Sequence, residues 1–416
     1  MNTLFFLLLI EVLFFWFVSF FKFKRVLTIN AVFSFVWSIS LILNYYYSYV
    51  GNIIVISNKI IEMVIILIFF FNITYIVLSN SKKKEIYIDE ININYKLLRI
   101  GSCIAILLYL PNVLQGIAIL MKSNFSFSVV RENYLSLMGA GRGVYVYLTQ
   151  YIPDGISNAV ILLSVFDLTK KKYSTLKYSI TLMLFNIIGF GGRIILLNFI
   201  IYYILMFFLF KIKSGKKKIN RKIIYFFIVL LVFLTFSRGV GKDGFFGMLS
   251  KYFYQQYSFL QLILDKPNLF SLFDGPHYGY ITLGFLSAPF TLFINAAIPS
   301  FRVASNYIDV YSQIFYNIGI NGNINLINNN TTSLYPFIKD FGVQYYFIGA
   351  IILAIIVVFT EKKKNKSQKN KLFYSLIYIF ILSVVIWSPI CYNLISISAS
   401  FTIIFVFILT RNIKFK

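Results

Sequence analysis

LFFLLLIEVLFFWFVSFF, residues 4–21, carries one charge, Glu11, in 18 positions. A helix of about 20 such residues spans the hydrocarbon of a bilayer, because each residue adds about 1.5 Å of length. Runs of the same kind recur at 27–47, 60–79, 97–119, 145–167, 176–190, 194–210, 223–237, 341–360, 372–388 and 390–410. In lipid every backbone N–H and C=O must be satisfied within the segment, so these runs are expected to be helices. Of 416 residues, 59% are hydrophobic and only 13% charged, more apolar surface than an aqueous fold of this size hides. The expected fold is an all-α polytopic membrane protein. It forms one integral domain over 1–416 with about 11 transmembrane helices.

A net charge of +25 in a soluble chain would point to nucleic acid. Here the basic residues gather beside the apolar runs instead, at Lys22/Lys24/Arg25, Lys82–Lys84, Lys170–Lys172, Lys211–Lys222, Lys362–Lys371 and Arg411/Lys414/Lys416. Such flanks mark the cytoplasmic ends of membrane helices. Placing all six clusters inside lets the spans alternate without conflict and assigns 28 of the 39 basic residues to the cytoplasm. The N-terminus is then outside and the C-terminus inside. No basic residue precedes the first run, while Lys22, Lys24 and Arg25 follow it, so it reads as an uncleaved anchor rather than a signal peptide. The lipid bilayer is the expected partner of these charges; nucleic acid is not.

The two basic residue types are distributed differently. Inside, 4 arginines stand against 24 lysines; outside, Arg131, Arg142, Arg193, Arg238 and Arg302 stand against 6 lysines. Lysine suffices as a topological point charge, whereas the planar guanidinium suits bidentate binding of phosphate or carboxylate. The bias hints at an anionic ligand on the outer face. Arg193 sits in GFGGRIILLN, residues 189–198, in a tight external turn between the sixth and seventh runs, where Gly191 and Gly192 permit a sharp reversal. Two readings stand: an interfacial anchor of a glycine hairpin, or a group that holds an anion at headgroup level.

Two external segments exceed the length of connectors. Residues 121–144 hold Arg131, Glu132 and Arg142 and are expected to form a surface helix and loop. Residues 238–340 include FGMLSKYFYQQYSFLQLIL, 246–264, an aromatic amphipathic stretch expected to lie in the interface. They also include an apolar piece, 281–298, marked by Pro289 and Pro299 and read as re-entrant or interfacial, and the polar loop NGNINLINNNTTS, 321–333. Such a loop suits an enzyme acting on lipid-linked substrates at the outer surface better than a carrier. Glu11 is the acid near the middle of a span, too little for a proton-coupled transporter. Cys103, Cys391 and the single histidine, His277, make neither a disulfide framework nor a zinc set.

Three segments carry a family resemblance: SLYPFIKDFGVQYYFIGAII at 333–352, the GGR turn at 191–193, and GPHYGYITLGF at 275–285 followed by Pro299. Together they resemble the O-antigen polymerases, the oligosaccharide repeat unit polymerases, over roughly residues 90–410. There an external loop enters a late span through Asp-Phe-Gly, here Asp340, Phe341 and Gly342. The resemblance implies a type C glycosyltransferase-like fold. It implies donor and acceptor repeat units on undecaprenyl diphosphate at the outer face of the bacterial cytoplasmic membrane, with no metal, nucleotide sugar or other cofactor. A chain-length regulator and a flippase are the implied protein partners.

In that reaction an acceptor hydroxyl attacks the anomeric carbon of the donor and undecaprenyl diphosphate leaves. Negative charge grows on the diphosphate, so fixed guanidiniums that grip it in the transition state lower the barrier. Arg193 and Arg238 are the leading candidates, with Arg131, Arg142 and Arg302 for the second diphosphate or the sugars. His277 suits a catalytic base by type, with Glu132 and Asp340 as alternatives. Asp340 also suits the N-cap of the ninth span, and Tyr278 and Tyr280 suit sugar stacking or an interfacial belt. An O-antigen ligase and a flippase for the same lipid-linked units are the competing activities; a membrane structural or sensor protein is the non-catalytic one.

Overall fold

The structure, a computed structural model, describes residues 3–50, 53–79, 93–139, 145, 147–209, 221–236, 244–270, 272, 275–298, 304, 307, 316–320, 322, 326–327, 332–367 and 370–411. Fifteen α-helices dominate these residues. They are α1 Thr3–Phe23, α2 Ile29–Val50, α3 Asn58–Leu78, α4 Tyr95–Lys122, α5 Phe127–Gly139, α6 Ile152–Thr169, α7 Leu176–Phe190 and α8 Ile194–Leu209. The remainder are α9 Arg221–Phe236, α10 Gly244–Asp265, α11 Gly284–Ala297, α12 Leu334–Tyr345, α13 Phe347–Lys366, α14 Lys371–Trp387 and α15 Ile397–Thr410. A two-stranded antiparallel hairpin pairs β1, Tyr316–Asn317, with β2, Leu326–Ile327.

Five helical segments are long and apolar enough to cross a membrane: Thr3–Phe23, Ile29–Ser48, Asn58–Leu78, Tyr95–Lys122 and Leu148–Thr169. Shorter apolar helices follow at Leu176–Phe190, Ile194–Leu209, Tyr225–Thr235, Lys371–Trp387 and Ile397–Thr410. Two expected runs begin later than the apolar pattern suggests. The run at 341–360 is broken at Gly342, whose φ of 77° no helix accommodates, and continuous helix starts at Phe347. The run at 390–410 opens with a 3₁₀ turn at Asn393–Ile395 and becomes α15 only at Ile397.

By its internal contacts the chain divides into two compact units. One comprises Met1–Lys83, Leu249–Lys362 and Val384–Ser396; the other comprises Lys84–Met248, Lys363–Ser383 and Ile397–Lys416.

In the first unit α1, α2 and α3 pack together. Polar side chains join them where lipid offers no partner: Asn30 Nδ2 donates to Asn72 Oδ1 at 2.9 Å, and Asn72 Nδ2 donates to Ser34 Oγ at 2.8 Å. Outward, α1 presents Phe6, Leu7, Ile10, Leu13, Phe14 and Phe17, a surface suited to lipid. The two oxygens of Glu11 are buried and have no hydrogen-bond partner among the described residues.

The amphipathic stretch is helical as α10, but it does not lie free in an interface. Tyr254 to Ile263 are buried or nearly so, and Asn44 Nδ2 donates to Ser258 Oγ at 3.0 Å while the Ser57 amide donates to Gln261 Oε1 at 2.9 Å. Its glutamines and serine serve as contacts to α2 and the start of α3, so packing overrides the interfacial reading. Helix α11 has 14 residues, about 21 Å of helix, with Pro289 inside it. Leu286, Phe290 and Ile294 form an exposed apolar stripe along it, opposite buried Ala288 and Thr291. Such a stripe suits contact with lipid.

In the second unit α6 is buried almost throughout and packs on α4, α7, α8 and α15. A single turn of π-helix, Tyr147–Tyr151, leads into it, and Pro153, which has no N–H to donate, follows directly. Helices α4 and α7 approach to backbone contact: a Cβ at Gly116 would stand 2.1 Å from the Ile188 carbonyl oxygen. Small residues permit such crossings in membrane bundles.

Candidate functional site

The residues singled out from sequence fall into two groups, one in each unit. Arg142, Arg238 and Arg302 lie outside the described residues.

In the second unit the glycine–arginine turn joins α7 to α8. Gly191 caps α7 in the left-handed conformation, φ 62°, with its N–H donating to Ile187 O at 2.8 Å. A Cβ there would lie 2.9 Å from Phe127 O and 3.1 Å from the Arg131 nitrogen, so the turn abuts the start of α5. Gly191 therefore serves two ends, the chain reversal and the seating of Arg131. Arg131 is half-buried and lies over the Tyr134 ring at 5.4 Å, and Tyr134 in turn meets Phe190 at 4.9 Å. Glu132 is exposed on the same helix.

Arg193 is not an exposed turn residue. It is 6% accessible, and its Nη1 donates to Thr235 Oγ1 on α9 at 2.9 Å. Thr235 is itself held by Leu231 O at 2.7 Å. The guanidinium is held in place out of water by this bond. The external arginine expected at a headgroup-level turn is thus built into the bundle.

Sequence reasoning missed Asp154, in the first turn of α6. Tyr109 Oη donates to Asp154 Oδ1, and Asn186 Nδ2 donates to the same oxygen at 2.8 Å. Ser157 Oγ lies 3.2 Å from Tyr109 Oη. Three helices, α4, α6 and α7, therefore meet at one carboxylate. The signal available in the sequence was an acid in YIPDG, inside an apolar run that otherwise carries few charges.

In the first unit two of the segments that carry the family resemblance lock together. The His277 amide donates to Lys339 O at 3.4 Å and the Tyr278 amide to Asp340 O at 3.0 Å. The Asp340 carboxylate takes the Ile281 amide at 3.0 Å, the Thr282 amide at 2.5 Å and the Thr282 hydroxyl. Asp340 is wholly inaccessible. It sits within α12, two residues before the break at Gly342, so it does not cap the following span. It is an anchor for the 277–282 turn, and its oxygens face the fold instead of an acceptor. Burial pushes its carboxyl above the usual aspartate range, which the donated bonds and nearby His277 offset only in part.

The turn presents its aromatic groups outward. His277 meets the Tyr307 ring at 4.3 Å, and Lys339, 3% accessible, donates from Nζ to Tyr307 O at 3.1 Å. Tyr278 is 84% exposed and holds a positive φ of 48°, a conformation that strains a residue with a side chain. Tyr392 Oη closes the floor, donating to Thr282 O at 3.1 Å. No cluster of three or more His, Cys, Asp or Glu suited to a metal ion occurs among the described residues.

Compared with known proteins, the chain matches no protein family, no curated protein and no solved structure.

Proposed function

We propose that this chain is a membrane glycosyltransferase that polymerises oligosaccharide repeat units carried on undecaprenyl diphosphate. In this reading it works at the outer face of a bacterial cytoplasmic membrane, making O-antigen or capsular polysaccharide. The crossings are α1–α4, the π turn with α6, α7–α9 and α13–α15, with the N-terminus outside and the C-terminus inside. The fold is of the type C glycosyltransferase kind.

The observation that carries the reading is the glycine–arginine turn. Arg193 is a buried, immobilised guanidinium at one end of an apolar helical bundle, and the same turn abuts the helix that bears Arg131. A diphosphate that gains charge as the glycosidic bond breaks needs donors already in place, since fixed dipoles and charges do not reorganise during the reaction. Thr235 supplies that fixation. The acceptor hydroxyl forms the new bond to the anomeric carbon; the bonding pair of the old one leaves with undecaprenyl diphosphate. His277, Tyr278 and Tyr307 form a half-open aromatic surface in the first unit, suited to sugar rings, whose apolar faces stack on aromatic side chains.

The test is the surface polysaccharide of the native host with this gene deleted. Collapse of the ladder to single repeat units supports polymerisation. Long polymer retained on undecaprenyl diphosphate means a ligase; single units trapped on the cytoplasmic face mean a flippase. An unchanged ladder contradicts all three.

A further inference from the structure

We infer that Asp154 is the general base that accepts the proton of the acceptor hydroxyl, at the site formed with the Gly191–Gly192–Arg193 turn. This inference rests on the glycosyl-transfer reading above. Three observations on the second unit carry it.

The first is how the carboxylate is held. Oδ1 is fixed by Tyr109 Oη and by Asn186 Nδ2 at 2.8 Å, two donors from two different helices. Asn186 also reaches Tyr109 Oη at 3.4 Å, so the holding groups brace one another. Oδ2 has no hydrogen bond among the described residues, and it is not among the buried unpartnered oxygens; Asp154 is only half-buried. One oxygen is oriented while the other stays open, the arrangement a base needs to meet a hydroxyl in a defined direction. Asp340 makes the contrast, with both oxygens occupied and no accessible surface.

The second is proximity to the arginine turn. Asn186 lies on α7, one turn before Gly191, and its Oδ1 stands 3.4 Å from where a Cβ on Gly192 would be. One amide therefore touches the carboxylate on one side and the turn on the other. A Cβ at residue 192 would meet this amide at an ordinary van der Waals distance. The third is the backbone. A π-helical turn, Tyr147–Tyr151, precedes α6, and such turns re-aim the residues that follow and gather at functional sites.

The step balances. The acceptor O–H bond breaks and its proton passes to Asp154 Oδ2. The acceptor oxygen bonds to the anomeric carbon, and the bond from that carbon to the diphosphate oxygen breaks. The electron pair leaves on undecaprenyl diphosphate, and the carboxylic acid returns its proton to water.

The experiment uses the full chain in lipid vesicles with undecaprenyl-diphosphate-linked repeat units, and it measures polymer formed, binding of undecaprenyl diphosphate and melting temperature. Asp154→Asn keeps the acceptor for Tyr109 and Asn186 but is no base. The expected result is transfer slowed about 100- to 10,000-fold, the usual range for a lost general base. Binding of undecaprenyl diphosphate and the melting temperature should stay unchanged. Transfer within about 5-fold of wild type overturns the inference, being far below that range. If Asp154→Asn melts early, Asp154→Ser with added formate decides: restored transfer at an unchanged melting temperature supports a base, and no restoration overturns it. A wild-type chain that makes no polymer overturns the transfer reading itself, and with it this inference.

Discussion

Replacing Asp340 with alanine removes one acceptor from three donors: the Ile281 amide, the Thr282 amide and the Thr282 hydroxyl. The hydroxyl rotates to another partner, but the two amides are fixed by the backbone. Each buried N–H without an acceptor costs about 1–3 kcal/mol, so the 277–282 turn loses about 2–6 kcal/mol of local stability. Water entering the space left by the carboxylate offsets part of this. The bonds from the His277 and Tyr278 amides go to backbone carbonyls and survive the substitution. A net loss of about 3 kcal/mol corresponds to about 150-fold more frequent opening. Hydrogen exchange of the peptide covering 277–284, in lipid nanodiscs, reads that opening directly, with the buried α10 peptide as the internal standard. Asp340→Asn retains one acceptor and should fall between wild type and alanine. If exchange in Asp340→Ala stays within about 3-fold of wild type, an effect of under about 1 kcal/mol, the carboxylate is not what holds the turn.

Asp340 also predicts a pH dependence. Its carboxyl is raised in the fold, so the folded chain holds this proton more firmly than the unfolded chain does. The stabilising contribution is full below the ordinary aspartate pKa of about 3.9 and is lost as pH rises through the raised value. The melting temperature of wild type should therefore fall more steeply than that of Asp340→Asn as the pH rises above about 4; parallel slopes contradict this. In the second unit Gly116→Ala places a methyl 2.1 Å from the Ile188 carbonyl oxygen and must spread α4 from α7. Overpacking of this kind costs about 1–3 kcal/mol, so thermal unfolding should come several degrees earlier, and an unchanged melting curve would show that the crossing yields freely.

The helices were legible because lipid imposes a simple rule. Apolar length and basic flanks marked α1 to α4 and α7 to α9 within a few residues, and the Gly191–Gly192 pair marked the α7–α8 reversal. What the sequence did not disclose is long-range pairing. Asp340 meets residues 58 and 59 positions earlier, and Asp154 meets Tyr109 and Asn186 across 45 and 32 positions. Periodicity reports which face of a helix is apolar, not which polar group awaits it on another helix. The same limit explains α10: its aromatic, amphipathic pattern fits an interface, and only the serine and glutamine contacts to α2 and to Ser57 show that it is packed inside its unit. Arg193 was found by residue type and glycine context, but its burial against Thr235 depends on α9, more than 40 positions away.

The most direct measurement is polymerisation by the purified chain. Reconstituted in vesicles with undecaprenyl-diphosphate-linked repeat units as the sole substrate, it should extend them into a ladder and release undecaprenyl diphosphate in step. Arg193→Lys and Arg193→Ala should slow that release about 100- to 1,000-fold while the protein stays folded, as expected for loss of a fixed donor to the growing charge. Intact substrate that the wild-type chain leaves as single units, or a ladder indifferent to both substitutions, would contradict the account.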